Sequence, residues 1–185
     1  MNIPNFLSLL RILLVPVIVI FLIQGSFGKA LITFAIAGIT DALDGSLARL
    51  MNSQTVLGSY LDPIADKLLL TASFVTLSIL GIIPSWLTVI VISRDFIILL
   101  GIAILSLIGV SYEIKPAVVG KLTTALQILT ILLALSFQAF PHNLSYIWMR
   151  ILFWLTALLT VASGLTYITR GIKIYNTDAA QDTKK

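Results

Sequence analysis

Four aspartates stand in two pairs, Asp41 with Asp44 and Asp62 with Asp66, inside a stretch that is otherwise largely apolar. The members of the first pair are three positions apart and those of the second four apart, so each pair shares one helix face. A carboxylate at the centre of a membrane helix costs about 2.5–3.5 kcal/mol on insertion scales, so a group of them needs compensation. Converging carboxylates repel one another and tend to protonate. A hard cation with oxygen ligands removes that conflict, and Mg²⁺ is the natural choice. Histidine and cysteine, the usual ligands of a softer metal, are missing from the stretch.

Magnesium usually shares its coordination shell with substrate phosphates, and a pair of such ions can steady both the attacking and the leaving oxygen of a displacement. Arg49, five residues after Asp44, could grip a phosphate as a rigid fork. Gly45, Ala48 and Gly58 are small. Small residues in membrane helices ordinarily serve close packing, but they would equally let a planar base approach the backbone. The chemistry read from these residues is metal-dependent reaction at a phosphate.

The elements that must position them are membrane helices. Of 185 residues, 58% are hydrophobic and 11% charged, against about 25% charged in a soluble domain. Six apolar segments have approximate cores at Leu7–Ile23, Ala30–Leu50, Leu61–Leu80, Trp86–Ile108, Val118–Phe137 and Ile147–Ile168. At about 20 residues per crossing, the expectation is an all-α integral membrane protein of six transmembrane helices. One membrane domain is expected over residues 1–175, followed by a polar tail at 176–185 that should fray. The start, "MNIPNFLSLLRILLVPVIVIFL", lacks a basic residue before its apolar run and a small-residue cleavage pattern after it, and is read as a retained first helix.

Lysine and arginine set the orientation. With the N-terminus inside, Arg49, Lys67, Lys115, Lys121, Arg170, Lys173, Lys184 and Lys185 fall on the cytoplasmic side, and only Lys29 and Arg150 outside. The expected location is the cytoplasmic membrane, with the aspartates and both termini facing the cytoplasm. Trp86 and Trp148 fall near helix ends, where amphipathic rings settle. The net charge of +4 suits an anionic leaflet and calls for no nucleic acid. The chain has no cysteine and one histidine, His142. Disulfides and thiolate sites are excluded, and His142 is read as an interfacial loop residue.

Written out, the stretch is Asp41-x2-Asp44-Gly45-x2-Ala48-Arg49-x8-Gly58-x3-Asp62-x3-Asp66. It resembles the signature of the CDP-alcohol phosphatidyltransferases at every fixed position. "NIPNFLSLLRILLVP" resembles the family's N-terminal segment, and the six segments match its usual helix number. The resemblance implies a CDP-diacylglycerol donor and two divalent ions (Mg²⁺, with Mn²⁺ possible) on Asp41, Asp44, Asp62 and Asp66. It makes Asp66 the general base for the acceptor hydroxyl and places Gly45, Ala48, Arg49 and Gly58 around the CDP group. It also implies a homodimer. Asn5, Ser8 and Arg11 are candidates to touch the donor, although spacing alone does not assign them.

The motif reads the donor and leaves the acceptor to other residues. Arg94 and Asp95 form an intramembrane charge pair, a functional candidate by default, with a purely structural pair as the alternative. Lys121 and Gln127 lie in the next segment, and Lys121 could equally be a snorkelling residue. The branch of the family that uses glycerol 3-phosphate usually shows Arg-Glu where this chain has Arg94-Asp95. It shows a further Arg in the region of Gly101 and a second Lys at Thr123. Two cations are thus missing. "SRD", "VLGSYLDPIADK" and "GKLTTALQ" look closer to the branch that transfers the phosphatidyl group to phosphatidylglycerol. That acceptor lacks a free phosphomonoester and needs fewer cations. Phosphatidylglycerol is therefore the expected acceptor and glycerol 3-phosphate the alternative, with Arg94 and Lys121 the expected acceptor-binding residues for either. A cation-coupled transporter also keeps intramembrane carboxylates, but the chain lacks the internal repeat common in transporters.

Overall fold

The structure is a computed structural model. It describes the backbone of residues 3–51, 56–107, 118–140 and 146–182, and the side chains of 8–40, 63–104, 107, 118–140 and 146–173. Its helices are α1 (Ile3–Ile23), α2 (Phe27–Met51), α3 (Val56–Ile79), α4 (Ser85–Leu107), α5 (Val118–Ala139) and α6 (Tyr146–Asp182). Each corresponds to one of the expected apolar segments, those of α3 and α4 extending one residue past the helix end. His142 lies outside the described residues.

Two boundaries differ from expectation. α2 runs to Met51 and α3 begins at Val56, so both helices reach into "MNSQTVLGSY", expected as a connection, and Gly58 lies within α3. At the other end, α6 runs on to Asp182, through most of the tail expected to fray. "YNTDAAQD" contains neither Pro nor Gly, so losing apolar character does not force the helix to stop.

Among the described residues, three helices carry runs long and apolar enough to cross a membrane: Ser85–Ile104, Val118–Ala139 and Tyr146–Lys173. Shorter apolar runs occupy Ser8–Ile23 and Phe27–Thr40. The surface is correspondingly greasy. Ile23, Ile79, Leu107 and Trp154 are all well exposed, which lipid tolerates and water does not. Pro16 in α1 and Pro63 in α3 sit inside their helices, as membrane helices allow when neighbours re-satisfy the backbone.

α1 packs against both α2 and α3, α4 against α6 and α3, and α5 against α2, α3 and α6. Adjacent packing of α2 on α3, expected from their short connection, is not found among the described residues; α1 contacts each of them instead. The interior is divided along its length. Ile18, Leu22, Phe34, Phe74, Leu77, Leu135 and Phe153 form a fully buried apolar half. Towards the starts of α1 and α5, and further along α6, the buried side chains become Ser8, Arg11, Thr123, Gln127, Thr160 and Ser163. The apolar end is closed by matched turns. Gly25 and Gly81 adopt φ of 69° and 72°, and each carries the paired bonds of a Schellman cap: Ser26 N–H to Phe21 and Gly25 N–H to Leu22, then Ile82 N–H to Leu77 and Gly81 N–H to Ser78.

A polar seam joins α5 to α6. Thr130 and Thr156 hydroxyls are 2.8 Å apart, and Gln127 Nε2 donates to Thr160 Oγ1 at 3.3 Å. Thr123 Oγ1 donates to the Leu159 carbonyl at 3.1 Å. Helices in lipid gain no hydrophobic drive to associate, so such bonds and close packing carry the contact. Near the start of α4, an open apolar groove runs between α4 and α6, lined in part by Trp86, Ile90, Arg150 and Trp154. The rings of Trp86 and Trp154 lie 4.8 Å apart, centroid to centroid.

Candidate active site

α2 carries Asp41, Asp44, Gly45, Ala48 and Arg49, and α3 carries Gly58, Asp62 and Asp66. The side chains of all but Asp66 lie outside the described residues. Asp66 is the anchor from which the site is built.

Asp66 Oδ1 accepts a hydrogen bond from Arg11 Nη1 at 2.5 Å, an ion pair between α3 and α1. Arg11 is 1% exposed and the Asp66 side chain 40%. The arginine is thus sunk in the bundle while the carboxylate looks outward. A buried guanidinium needs such a partner, because an uncompensated charge in the interior is very costly. In the sequence Arg11 is a cation inside an apolar run and a candidate to touch the donor; its pair with Asp66 spans 55 positions and has no local signature.

One residue further on, Lys67 turns to α4. Its Nζ lies 3.1 Å from Asp95 Oδ1. The same oxygen accepts from Arg94 Nη1 at 2.6 Å. One carboxylate therefore holds two cations side by side. Arg94 is further fixed by α6: Nη2 donates to Ser163 Oγ at 3.0 Å, and the guanidinium carbon lies 5.7 Å from the centroid of the Tyr167 ring, within cation–π range. Gly120 of α5 completes the wall. A Cβ there would stand 3.0 Å from the Tyr167 hydroxyl and 3.4 Å from Arg94 Nη2, so a side chain would press on both.

The structure thus brings Arg94 beside Lys67, Asp95, Ser163, Tyr167 and Gly120, within one residue of Asp66. It does not bring Lys121 into that group. Lys121 is exposed, and among the described residues it forms no hydrogen bond or ion pair. Gln127 belongs to the α5–α6 seam. Of the two positions where cations are missing, Thr123 is buried and bonded to backbone carbonyls, and Gly101 faces open space. Sequence reasoning treated Lys67 only as an orientation marker and passed over Ser163 and Tyr167. The recurrence of Thr156, Thr160, Ser163 and Tyr167 along α6 at three- and four-residue spacing was the available signal of a polar face.

With three of the four motif carboxylates outside the described side chains, the test of a metal site rests on donor chemistry. Asp41, Asp44, Asp62 and Asp66 offer oxygen alone, the donor set of a hard divalent cation, and the outward-facing Asp66 fits it.

The profile of the CDP-alcohol phosphatidyltransferase family matches residues 1–162, and the chain belongs to that family. It is 36% identical to human cardiolipin synthase (CMP-forming), over 93% of this chain and 62% of that protein. It is also 36% identical to a probable phosphatidylglycerophosphate synthase of Mycobacterium tuberculosis, over 93% of this chain and 82% of that one. To the CDP-diacylglycerol–glycerol-3-phosphate 3-phosphatidyltransferase of Bacillus subtilis it is 32% identical, over 91% and 94% respectively. The chain spans about three fifths of the length of the human relative. Identity to the first two is equal, so overall similarity does not choose between them.

Proposed function

We propose that this protein transfers a phosphatidyl group from CDP-diacylglycerol to phosphatidylglycerol, releasing CMP and forming cardiolipin. The observation that carries the acceptor is the charge of the cluster beside Asp66. Lys67 and Arg94 contribute two formal positive charges and Asp95 one negative, leaving +1. A phosphodiester carries one negative charge and matches it; the phosphomonoester of glycerol 3-phosphate carries up to two. Lys121, exposed one residue beyond Gly120, serves as an outer cation that the acceptor phosphate meets on approach.

In this reading Asp66 takes the proton of the acceptor hydroxyl. The hydroxyl oxygen bonds to the lipid-side phosphorus of the donor, the bond from that phosphorus to the bridging oxygen breaks, and CMP leaves with the electron pair. Arg11 fixes the Asp66 carboxylate from the buried side. Asp41, Asp44, Asp62 and Asp66 would hold two divalent ions, Mg²⁺ by preference, which when bound offset the charge of the pyrophosphate. Gly45, Ala48, Arg49 and Gly58 would receive the CDP group. The enzyme would cross the cytoplasmic membrane six times as one domain over residues 1–175, with the site, both termini and the 176–185 tail in the cytoplasm. It would act as a homodimer, a point that rests on family resemblance.

The test is an acceptor competition with purified protein, CDP-diacylglycerol and Mg²⁺. Cardiolipin and CMP from phosphatidylglycerol are expected. Phosphatidylglycerophosphate formed from glycerol 3-phosphate in preference would replace the acceptor and keep the transfer, and absence of CMP with either acceptor would overturn the reading.

A further inference from the structure

The groove between α4 and α6 lies far from the Arg94 cluster. Counted from Arg150, Ser163 and Tyr167 stand about 20 and 25 Å further along α6 at 1.5 Å per residue, most of the roughly 30 Å of a hydrocarbon core. The groove has a volume of about 1040 Å³, at the upper end of ligand sites. Its walls are apolar, and Arg150 is the one charged residue that lines it. Arg150 is exposed and, among the described residues, forms no hydrogen bond, ion pair or ring contact. Lys29, the other cation expected on this side of the membrane, lies 5.9 Å from the centroid of the Phe21 ring. Arg150 thus stands unpaired at an apolar channel, on the side where lysine and arginine are scarce. Its counter-charge has to come from outside the chain.

We infer that this groove binds an anionic phospholipid of the leaflet remote from the Arg94 cluster, with its phosphate on Arg150 and an acyl chain laid along α6. The inference rests on membrane placement and not on the choice of acceptor. A guanidinium matches a phosphate as a two-pronged donor. The lining residues of α6 run from Ile147 to Val161, about 21 Å, against about 15 Å for one leaflet's share of the core, so an acyl chain fits over its full depth. Ile151, Leu155, Leu158 and Val161 are exposed along that path, and the rings of Trp86 and Trp154 stand together beside it. A second copy of the chain suits the groove less well. A two-fold interface sets one patch against itself, which would bring two Arg150 side chains together with no carboxylate from the lining residues. A phospholipid supplies the missing negative charge.

The test uses the whole protein purified in detergent with an equimolar mixture of phosphatidylserine and phosphatidylcholine, and counts the retained lipid by native mass spectrometry. Neither lipid is a donor or an acceptor in the proposed reaction. Phosphatidylserine should be retained about fivefold over phosphatidylcholine, the order expected of one arginine at an anionic headgroup. Arg150→Gln should remove that preference. Leu158→Trp, which fills the groove without touching the charge, should lower retention of both lipids and serves alone if Arg150→Gln does not fold. Arg94→Gln should leave the preference intact, which separates this site from the acceptor seat. A preference that survives Arg150→Gln, retention unchanged by Leu158→Trp, or a preference lost in Arg94→Gln overturns the inference. The chain has no cysteine, so Leu158→Cys adds a single thiol. Efficient disulfide cross-linking of copies through it in the membrane would place a second copy over the groove and overturn the inference as well. All of these outcomes leave the transferase reading standing, whereas absence of CMP release with either acceptor overturns that reading and leaves this one intact.

Discussion

Asp66 and Lys67, consecutive on α3, bind to different helices: the carboxylate to Arg11 of α1 and the ammonium to Asp95 of α4. A single turn of one helix thereby fastens the proposed base and the proposed acceptor seat to different walls of the bundle. Small changes on either side should be separable in their effects.

Asp66→Asn is expected to leave the protein folded and inserted but nearly inactive. The amide can still accept from Arg11, whereas the base and one metal ligand are lost. Loss of one general base typically costs 10²–10⁴-fold in rate, and CMP release from CDP-diacylglycerol by the inserted, folded variant is the measurement, with a lowered melting temperature expected because Arg11, 1% exposed, loses its counter-charge. Near-normal turnover would remove Asp66 from the chemistry.

Arg11→Gln addresses the other partner. It leaves the Asp66 carboxylate with a neutral donor in place of a cation. Since Asp66 is 40% exposed, water offsets part of the loss, and a destabilisation of about 1–3 kcal/mol is expected. Thermal unfolding in detergent would record it. A melting temperature equal to that of the parent would mean the pair contributes little to the fold.

Chelation of divalent ions should abolish CMP release, and returning Mg²⁺ should restore it. Persistence of turnover in excess chelator would contradict the assignment of the aspartates as metal ligands.

Gly120→Ala is expected to raise the acceptor KM several-fold while leaving stability within about 1 kcal/mol. The new methyl meets the Tyr167 hydroxyl at 3.0 Å and Arg94 Nη2 at 3.4 Å, both at the ends of side chains that can yield by tilting the guanidinium. Initial-rate kinetics against phosphatidylglycerol would detect the change, and an unaltered KM would place the acceptor elsewhere.

The helix order was legible because apolar runs and turn residues alternate clearly along the chain. Ala30–Leu50 and Val118–Phe137, for example, fall within α2 and α5. The aspartate motif was legible because its chemistry lies in spacing along two helices. What spacing could not reveal was partnership. Arg11 meets Asp66 across 55 positions and Arg94 meets Ser163 across 69, distances at which pairing is decided by how the helices pack. The same holds for α1 serving as the neighbour of both α2 and α3. Lys67 was hidden for another reason: beside four aspartates it reads as an ordinary interfacial cation, and only the fold turns it toward Asp95. The end of α6 was misplaced because apolar character and helix propensity part company after Lys173.

The ring pair at the mouth of the α4–α6 groove has a use of its own. The chain's three tryptophans are Trp86 on α4 and Trp148 and Trp154 on α6, with Trp86 and Trp154 at 4.8 Å. Tryptophan emission from the unlabelled protein, excited where tyrosine does not absorb, therefore reports on these two helices alone, the same two that Arg94 and Ser163 clasp further along. Any sliding of α4 against α6 as a lipid headgroup engages Arg94 would alter ring overlap and quenching, giving a real-time optical gauge of the seat without a dye.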